Sequence, residues 1–195
     1  MYLFIKRLLD IFISLLLSVP IFLIILPFEV LILIEDGFPI FYNSWRMGKN
    51  GVPFKMLKLR SMYNNSPDLR NDDGSTMNSP KDPRVTRIGC FIRKTSIDEL
   101  PQIFNVLIGN MSFVGPRPSL TNTPYNQYDE IRKKRVSVRP GITGYSQAYF
   151  RNSIEQEEKF KYDCYYVDHM SFFLDLKILC KTFISVFRSK NIYNK

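Results

Sequence analysis

The strongest constraint in this chain lies at its start. From residue 8 to residue 34 the only charged side chains are Asp10 and Glu29, and Pro20 and Pro27 interrupt the run. At about 1.5 Å per residue, a helix of this length could cross a hydrocarbon core roughly 30 Å thick. Each proline removes a backbone donor, so the helix is expected to bend or break near them. Asp10 and Glu29 fall inside or near the apolar depth, where a charge is costly. Basic residues flank both ends, Lys6 and Arg7 before and Arg46, Lys49, Lys55, Lys58 and Arg60 after, and such flanks favour the cytoplasmic side. A kinked helix that enters one leaflet and returns satisfies these constraints together, with Ser14 and Ser18 available to bond carbonyls freed near the proline. A simple spanning helix and a cleaved signal peptide are the alternatives. The second is disfavoured because the apolar run continues past any plausible cleavage site.

Composition divides the chain at the same point. Of the first 34 residues 26 are apolar, and their charges cancel, so the whole net charge of +9 rests on the remaining 161. We therefore read residues 1–36 as an anchor and 37–195 as a basic body. Three cysteines, Cys90, Cys164 and Cys180, are too few and oddly spaced for a disulfide scaffold and fit a reducing compartment. The single histidine, His169, cannot supply a clustered zinc site, and no Gly-x-Ser-x-Gly elbow or Cys/His pair accompanies it. It is read as structural or solvent-facing. Chemistry here must run on carboxylates, hydroxyls, Lys, Arg or a bound ion.

Within the body, residues 40–42 and 54–59 have the pattern of two short strands joined by a turn at 48–51. Residues 64–83, rich in Asn, Asp, Ser, Pro and Gly, form an expected exposed loop. Leu100, Ile103, Phe104, Leu107 and Ile108 follow the helical i, i+3, i+4, i+7, i+8 pattern and stop at Gly109. Just upstream, Ser96 and Glu99 have capping-box spacing, although Pro101 shifts the regular helix towards Leu100. The tail from Phe172 to Phe187, with Lys177, Lys181 and Arg188, suits either a basic amphipathic helix on a membrane surface or a lid over the core.

Adjacent Asp98 and Glu99 are bracketed by Arg84, Arg87 and Arg93 before and Arg117 after, in turn-rich sequence. At a helix N-terminus, free amides would keep a carboxylate ionised, which suits a nucleophile or metal ligand rather than a general acid. The same amides and arginines attract phosphate, and Mg²⁺ on carboxylate oxygens would offset repulsion between an anionic nucleophile and a phosphoryl group. A Ser-x-x-Glu taken alone is more often just a cap.

The run RKTSIDELPQ at 93–102, NVL at 105–107 and MSFVGPRP at 111–118 resembles the bacterial sugar transferase family, the monotopic polyprenyl-phosphate phosphoglycosyl transferases. The resemblance extends over nearly the whole chain, through KR-x-x-D at 6–10, KLRSM at 58–62, RPGITG at 139–144, DCYYV at 163–167 and LDLK at 174–177. It implies an exchange in two steps at the cytoplasmic face of the bacterial inner membrane. Asp98 would attack the sugar-side phosphorus of a UDP-sugar, release UMP and carry the phosphosugar covalently. Undecaprenyl phosphate would then accept it, initiating a surface polysaccharide, lipopolysaccharide, capsule or glycoconjugate. Glu99 would help hold Mg²⁺ together with Asp98, Arg93, Arg117 and Arg151 would lie near phosphates, and Asp163 would be structural or contact substrate. Besides these substrates the implied partners are membrane lipids, with no nucleic acid, and a homo-oligomer is left open.

Three positions depart from the family pattern. Val19 separates Ser18 from Pro20 where the family has Ser-Pro, Tyr145 replaces a Trp, and Tyr149-Phe150 replaces Asn-Gly before Arg151-Asn152. Losing a glycine beside a sugar contact changes donor shape preference, so no donor is assigned. The competing reading is a membrane-anchored, non-catalytic protein whose basic body, notably the run Arg132, Lys133, Lys134 and Arg135, binds anionic lipid or nucleic acid. The expected fold is α+β and mainly α: a re-entrant membrane helix, a small antiparallel β element and amphipathic interfacial helices around the catalytic helix.

Overall fold

The computed structural model describes residues 1–67, 69, 79, 82–151 and 153–187. Most of the loop expected at 64–83 lies outside them, as do Asn152 and Arg188. The protein is mainly helical with a small antiparallel sheet, as its sequence indicates. Helix α1 (Tyr2–Asp36) contains Pro20 and Pro27 as one assigned helix, with no break at either. Ser14 and Ser18 do bond backward, to Ile11 O at 3.0 Å and Leu15 O at 2.7 Å. These are the carbonyls three residues before each serine, not Leu16 O, which Pro20 leaves without its usual amide.

Both ends of α1 are fastened to the body. At its start, Lys6 pairs with buried Asp175 and Tyr2 Oη donates to the same carboxylate at 2.6 Å. Arg7 donates to Val106 O and Leu107 O at 2.6 and 2.9 Å, and Asp10 Oδ1 accepts from Phe113 N at 3.2 Å. At its end, Asp36 pairs with Arg60 at 3.1 Å, and Ile25 and Ile32 are buried in a core cluster with Leu59 and Ile92. Between these fastenings the outer face is bare: Phe12, Leu15, Leu16, Val19 and Leu23 are each more than 60% exposed. A continuous apolar face of this kind belongs against lipid rather than water.

The strands are β1 (Ser44–Met47), β2 (Pro53–Met56), β3 (Ser112–Val114), β4 (Ser119–Leu120) and β5 (Gly141–Thr143). An antiparallel sheet has the order β2-β1-β4, and β3 and β5 form a separate parallel pair. The first strand therefore starts later than the sequence suggests, at Ser44; of residues 40–42 only Phe41 makes a bridge, to Leu59. Around the sheets lie α2 (Arg87–Thr95), α3 (Gln102–Ile108), α4 (Glu130–Arg135), α5 (Tyr145–Tyr149), α6 (Gln156–Asp168) and α7 (Phe172–Phe187).

Helix α3 stops at Gly109, whose φ of 98° is the left-handed conformation that favours glycine. Its buried face differs from the expected stripe. Ile103 and Val106 are in the core with Gln102 and Asn105, while Ile108 is 68% exposed. The reason is that α3 is packed on two sides. Asn105 faces the sheet, accepting from Leu57 N and donating to Lys55 O, both at 2.8 Å, and α1 packs along the helix as well. One face of helix α7 covers the core: Ile178 is fully buried in a cluster with Val114, Ala148 and Tyr166, whereas Phe172, Phe173, Leu176, Phe183 and Ile184 stand exposed. The three cysteines are free, and His169 is exposed and stacked on Tyr165 at 4.1 Å.

Candidate active site

Asp98 and Glu99 occupy a 3-10 turn, Ile97–Glu99, between α2 and α3. The capping box is absent. Ser96 sits in the left-handed region, φ 59°, and ends α2, so its side chain caps nothing; only its backbone carbonyl accepts from Glu99 N, at 3.2 Å. Helix α3 begins three residues after the dyad, and the positive charge beside Asp98 comes from a side chain instead. Lys58 Nζ lies 2.7 Å from Asp98 Oδ2 and 3.3 Å from Glu99 Oε1.

Segment 58–60 is what brings Lys58 there. Its backbone is held on both sides, with Tyr42 N donating to Lys58 O at 2.8 Å, Arg60 N to Ile40 O at 2.8 Å and Leu59 N to Asp98 O at 3.0 Å. Leu59 is fully buried in the core, and its two neighbours reach polar partners. Lys58 goes to the dyad, and Arg60 goes to the end of α1, donating to Asp36 O and Gly37 O at 3.0 and 2.6 Å. Alternation along an extended segment accounts for the division.

Helix α2 supplies Arg93, whose Nε donates to Ser61 Oγ at 2.8 Å. That helix was not evident in the sequence, where its arginines were read as part of a turn-rich stretch. Two caps hold its N-terminus: Thr86 Oγ1 accepts from Gly89 N at 2.8 Å, and the Glu35 carboxylate accepts from Arg87 N and Ile88 N at 2.7 and 3.0 Å. The last turn of the apolar helix thus caps the helix that carries Arg93. Arg84 does not reach the dyad; it is paired with Asp82 at 2.6 Å.

Charge is distributed unevenly across the dyad. Asp98 is 2% exposed, while the Glu99 side chain is 34% exposed. Burial pushes the Asp98 carboxyl above the usual carboxylate range and the Glu99 charge adds to this, against the opposing pull of Lys58 and Arg93. For Glu99 burial also acts upward, but Lys58, Arg117 and Arg46 together outweigh it and hold the carboxyl below its ordinary value. Lys58 is lowered by burial and raised by both carboxylates, with a net direction upward. Lys58 and Arg46 are the members of this site that sequence reasoning missed as functional residues. The signals for Lys58 were its place in a basic, strand-like segment and in the KLRSM stretch at 58–62 that carries part of the family resemblance.

The remaining predicted residues are not all near the dyad. Arg117 is exposed and adds positive potential at Glu99. Arg151 follows α5 with φ 50°. Asp163 is 1% exposed with both oxygens engaged. Arg135 Nε and Nη2 donate to Oδ2 at 3.0 and 2.8 Å, and Ser146 Oγ donates to Oδ1 at 2.7 Å. Arg135 in turn donates to Arg117 O at 3.1 Å and stacks on Phe160 at 3.9 Å. Asp163 therefore acts on the site through Arg135 and the Arg117 backbone.

The residues fit a divalent cation. Two carboxylates already converge on the Lys58 ammonium, so the turn is built to share a positive charge. Among the described residues no group of three or more His, Cys, Asp or Glu could hold a metal. Mg²⁺ is ordinarily held by one or two carboxylates, with water and substrate phosphates completing the shell, and Asp98 and Glu99 are two adjacent carboxylates of that kind. The basic run at 132–135 is occupied internally: Arg132 pairs with Asp129, Lys133 with Glu130, Lys134 with Asp168 and Arg135 with Asp163. It does not form the open basic patch that the non-catalytic reading needs.

Residues 1–189 match the family described as bacterial sugar transferase. The chain is 43% identical over 187 residues to a sugar transferase of Bacillus subtilis, EpsL, covering 96% of this chain and 89% of that one. It is 38% identical over 195 residues to the UDP-glucose:undecaprenyl-phosphate glucose-1-phosphate transferase of Klebsiella pneumoniae, covering 96% of this chain but 41% of the relative. It is also 38% identical over 170 residues to the undecaprenyl-phosphate galactose phosphotransferase of Salmonella typhimurium, covering 82% and 36% respectively.

Proposed function

From the premise that this chain belongs to the bacterial sugar transferase family, we propose that it moves a sugar-1-phosphate from a UDP-sugar to undecaprenyl phosphate through Asp98. The observation that carries this reading is a nearly buried carboxylate facing an ammonium at 2.7 Å, with a second carboxylate beside it and three arginines, Arg93, Arg117 and Arg46, acting on the pair, in a protein with a 35-residue apolar helix. A desolvated aspartate is a poorly hydrated nucleophile, and Lys58 is the counter-ion that keeps it charged.

In the first step an Asp98 oxygen attacks the phosphorus that bears the sugar. The bond from that phosphorus to the UMP oxygen breaks, and UMP leaves with the electron pair. In the second step an oxygen of the lipid phosphate attacks the same phosphorus, and the Asp98 carboxylate departs unchanged. Arg93 and Arg117 bind and orient the anionic diphosphate, and Lys58 screens Asp98 from Glu99. Glu99, the more exposed carboxylate, and the second oxygen of Asp98 would hold Mg²⁺, which when bound supplies further neutralisation of the diphosphate charge. The fastening of both ends of α1 to one body supports a helix that dips into a single leaflet, and the basic residues flanking it support a catalytic body on the cytoplasmic face.

The test incubates purified protein with a panel of UDP-sugars, Mg²⁺ and undecaprenyl phosphate and follows UMP. Wild type releases UMP with at least one donor, and Asp98→Asn does not. If Asp98→Asn released UMP as fast as wild type, the nucleophile assignment would be lost.

A further inference from the structure

A second cluster of cations surrounds a small, solvent-open cleft at the base of α1. Its polar lining is Lys6, Arg7, Asp10, Lys49, Ser112 and Arg139. Lys6 is neutralised by Asp175, which leaves Arg7, Lys49 and Arg139 against the single carboxylate of Asp10. The two guanidiniums converge on the end of α3: Arg7 donates to Val106 O and Leu107 O, and Arg139 Nε donates to Gly109 O at 2.9 Å. Each guanidinium has five N–H donors, so both retain unused ones.

The hydroxyl of Ser112 provides an independent sign of a ligand. Ser112 is 1% exposed, lines the cleft, and its Oγ has no partner. A buried hydroxyl left unpaired is costly, and such groups are rare unless something binds there. Leu3, Val138 and Met170 add apolar lining to the cleft. Beside Leu3, the first turns of α1 expose Phe4, Ile5 and Leu8, the beginning of the face assigned to lipid.

The geometry points to a binding site in this cleft for the phosphate headgroup of a membrane lipid. Phosphate oxygens accept from Ser112 Oγ, the Lys49 ammonium and the free N–H groups of Arg7 and Arg139, and the acyl or prenyl chain leaves over Leu3 and Met170. The site is distinct from the dyad. Arg7 and Arg139 meet the C-terminal end of α3, whereas Asp98 precedes its N-terminal end, and a helix of seven residues spans about 10 Å. The same chemistry is available from bulk anionic phospholipid and from a polyprenyl phosphate.

Titration calorimetry on the detergent-solubilised full chain tests this, with dihexanoylphosphatidate and inorganic phosphate as probes. The lipid phosphate is expected to bind at least about tenfold more tightly than inorganic phosphate, because burying even two methylenes is worth that much. Lys49→Gln, at an exposed position, and Ser112→Ala are each expected to weaken it by roughly tenfold, the effect of losing one hydrogen bond to a charged group. Asp98→Asn should bind as wild type does, so failure here leaves the transferase reading standing. Displacement by undecaprenyl phosphate identifies a prenyl source, and displacement by phosphatidylglycerol alone identifies bulk lipid; either supports the site. Equal affinity for inorganic phosphate, unchanged binding in Lys49→Gln, or loss of binding in Asp98→Asn overturns it.

Discussion

Removing the Lys58 ammonium would take from Asp98 the largest influence that opposes its burial. A nucleophilic carboxylate must be ionised, burial and Glu99 already push its pKa up, and without Lys58 nothing but Arg93 pulls strongly the other way. Lys58→Met is therefore expected to move the acid limb of the kcat/KM profile for UMP release to higher pH, with Lys58→Arg restoring most of it. A limb that stayed in place would show that Lys58 does not set the charge of the nucleophile. The same groups shape stability. Glu99, depressed in the fold, contributes stability above its unfolded value of about 4.3, and loses it as pH falls through the folded value. Lys58, raised in the fold, contributes below about 10.4 and loses its share as pH rises through the folded value. Asp98, raised in the fold, has the opposite pH dependence to Glu99: its contribution is present below the unfolded value of about 3.9 and is lost as pH rises through the folded value. Asp98 and Glu99 were legible as neighbours, but Lys58 was not evident from local spacing, because it lies 41 residues from Glu99 and only the tertiary path of segment 58–60 joins them.

Helix α2 is the element on which the site depends for precision. A Cβ at Gly89 would lie 2.0 Å from Ser61 O, and Ser61 is the residue whose hydroxyl receives Arg93. Gly89→Ala is expected to cost about 1–3 kcal/mol, the range for overpacking a close contact, and to lower activity together with the melting temperature. The pair between α4 and α6 is the second such dependence. Removing one member of a buried ion pair typically costs about 3–5 kcal/mol. Asp163→Ala should lose that much in denaturant unfolding, while the double substitution Asp163→Leu, Arg135→Met recovers most of it without recovering activity, because Arg117 then loses its support. At this scale the sequence was legible where a signal is local. Gly109 marks the end of α3, and Gly48 and Gly51 bracket the turn between β1 and β2. It misled where local patterns had tertiary alternatives: the Ser96 and Glu99 spacing matched a cap, but a left-handed Ser96 turns the chain before any cap can form. The buried face of α3 was misread for a related reason, since a helix packed on two sides shows no single apolar stripe.

For the molecule as a whole, the expectation is that both ends of α1 share one side of the membrane. Single cysteines at positions 1 and 38, with Cys90, Cys164 and Cys180 replaced by Ser, should be labelled by an impermeant thiol reagent only after cells are opened. Labelling of position 1 alone in intact cells would mean that the helix crosses. The fastening of α1 also has a consequence in time. Tyr2 and Lys6 are bonded to Asp175, a separation of 173 and 169 residues, so the apolar helix is made long before the helix that completes its fastening. Contacts of such long range form late. Until α7 arrives, the apolar helix has to be kept by the bilayer or a chaperone with Lys6 unpaired, and a chain arrested before residue 175 cannot finish docking its own anchor.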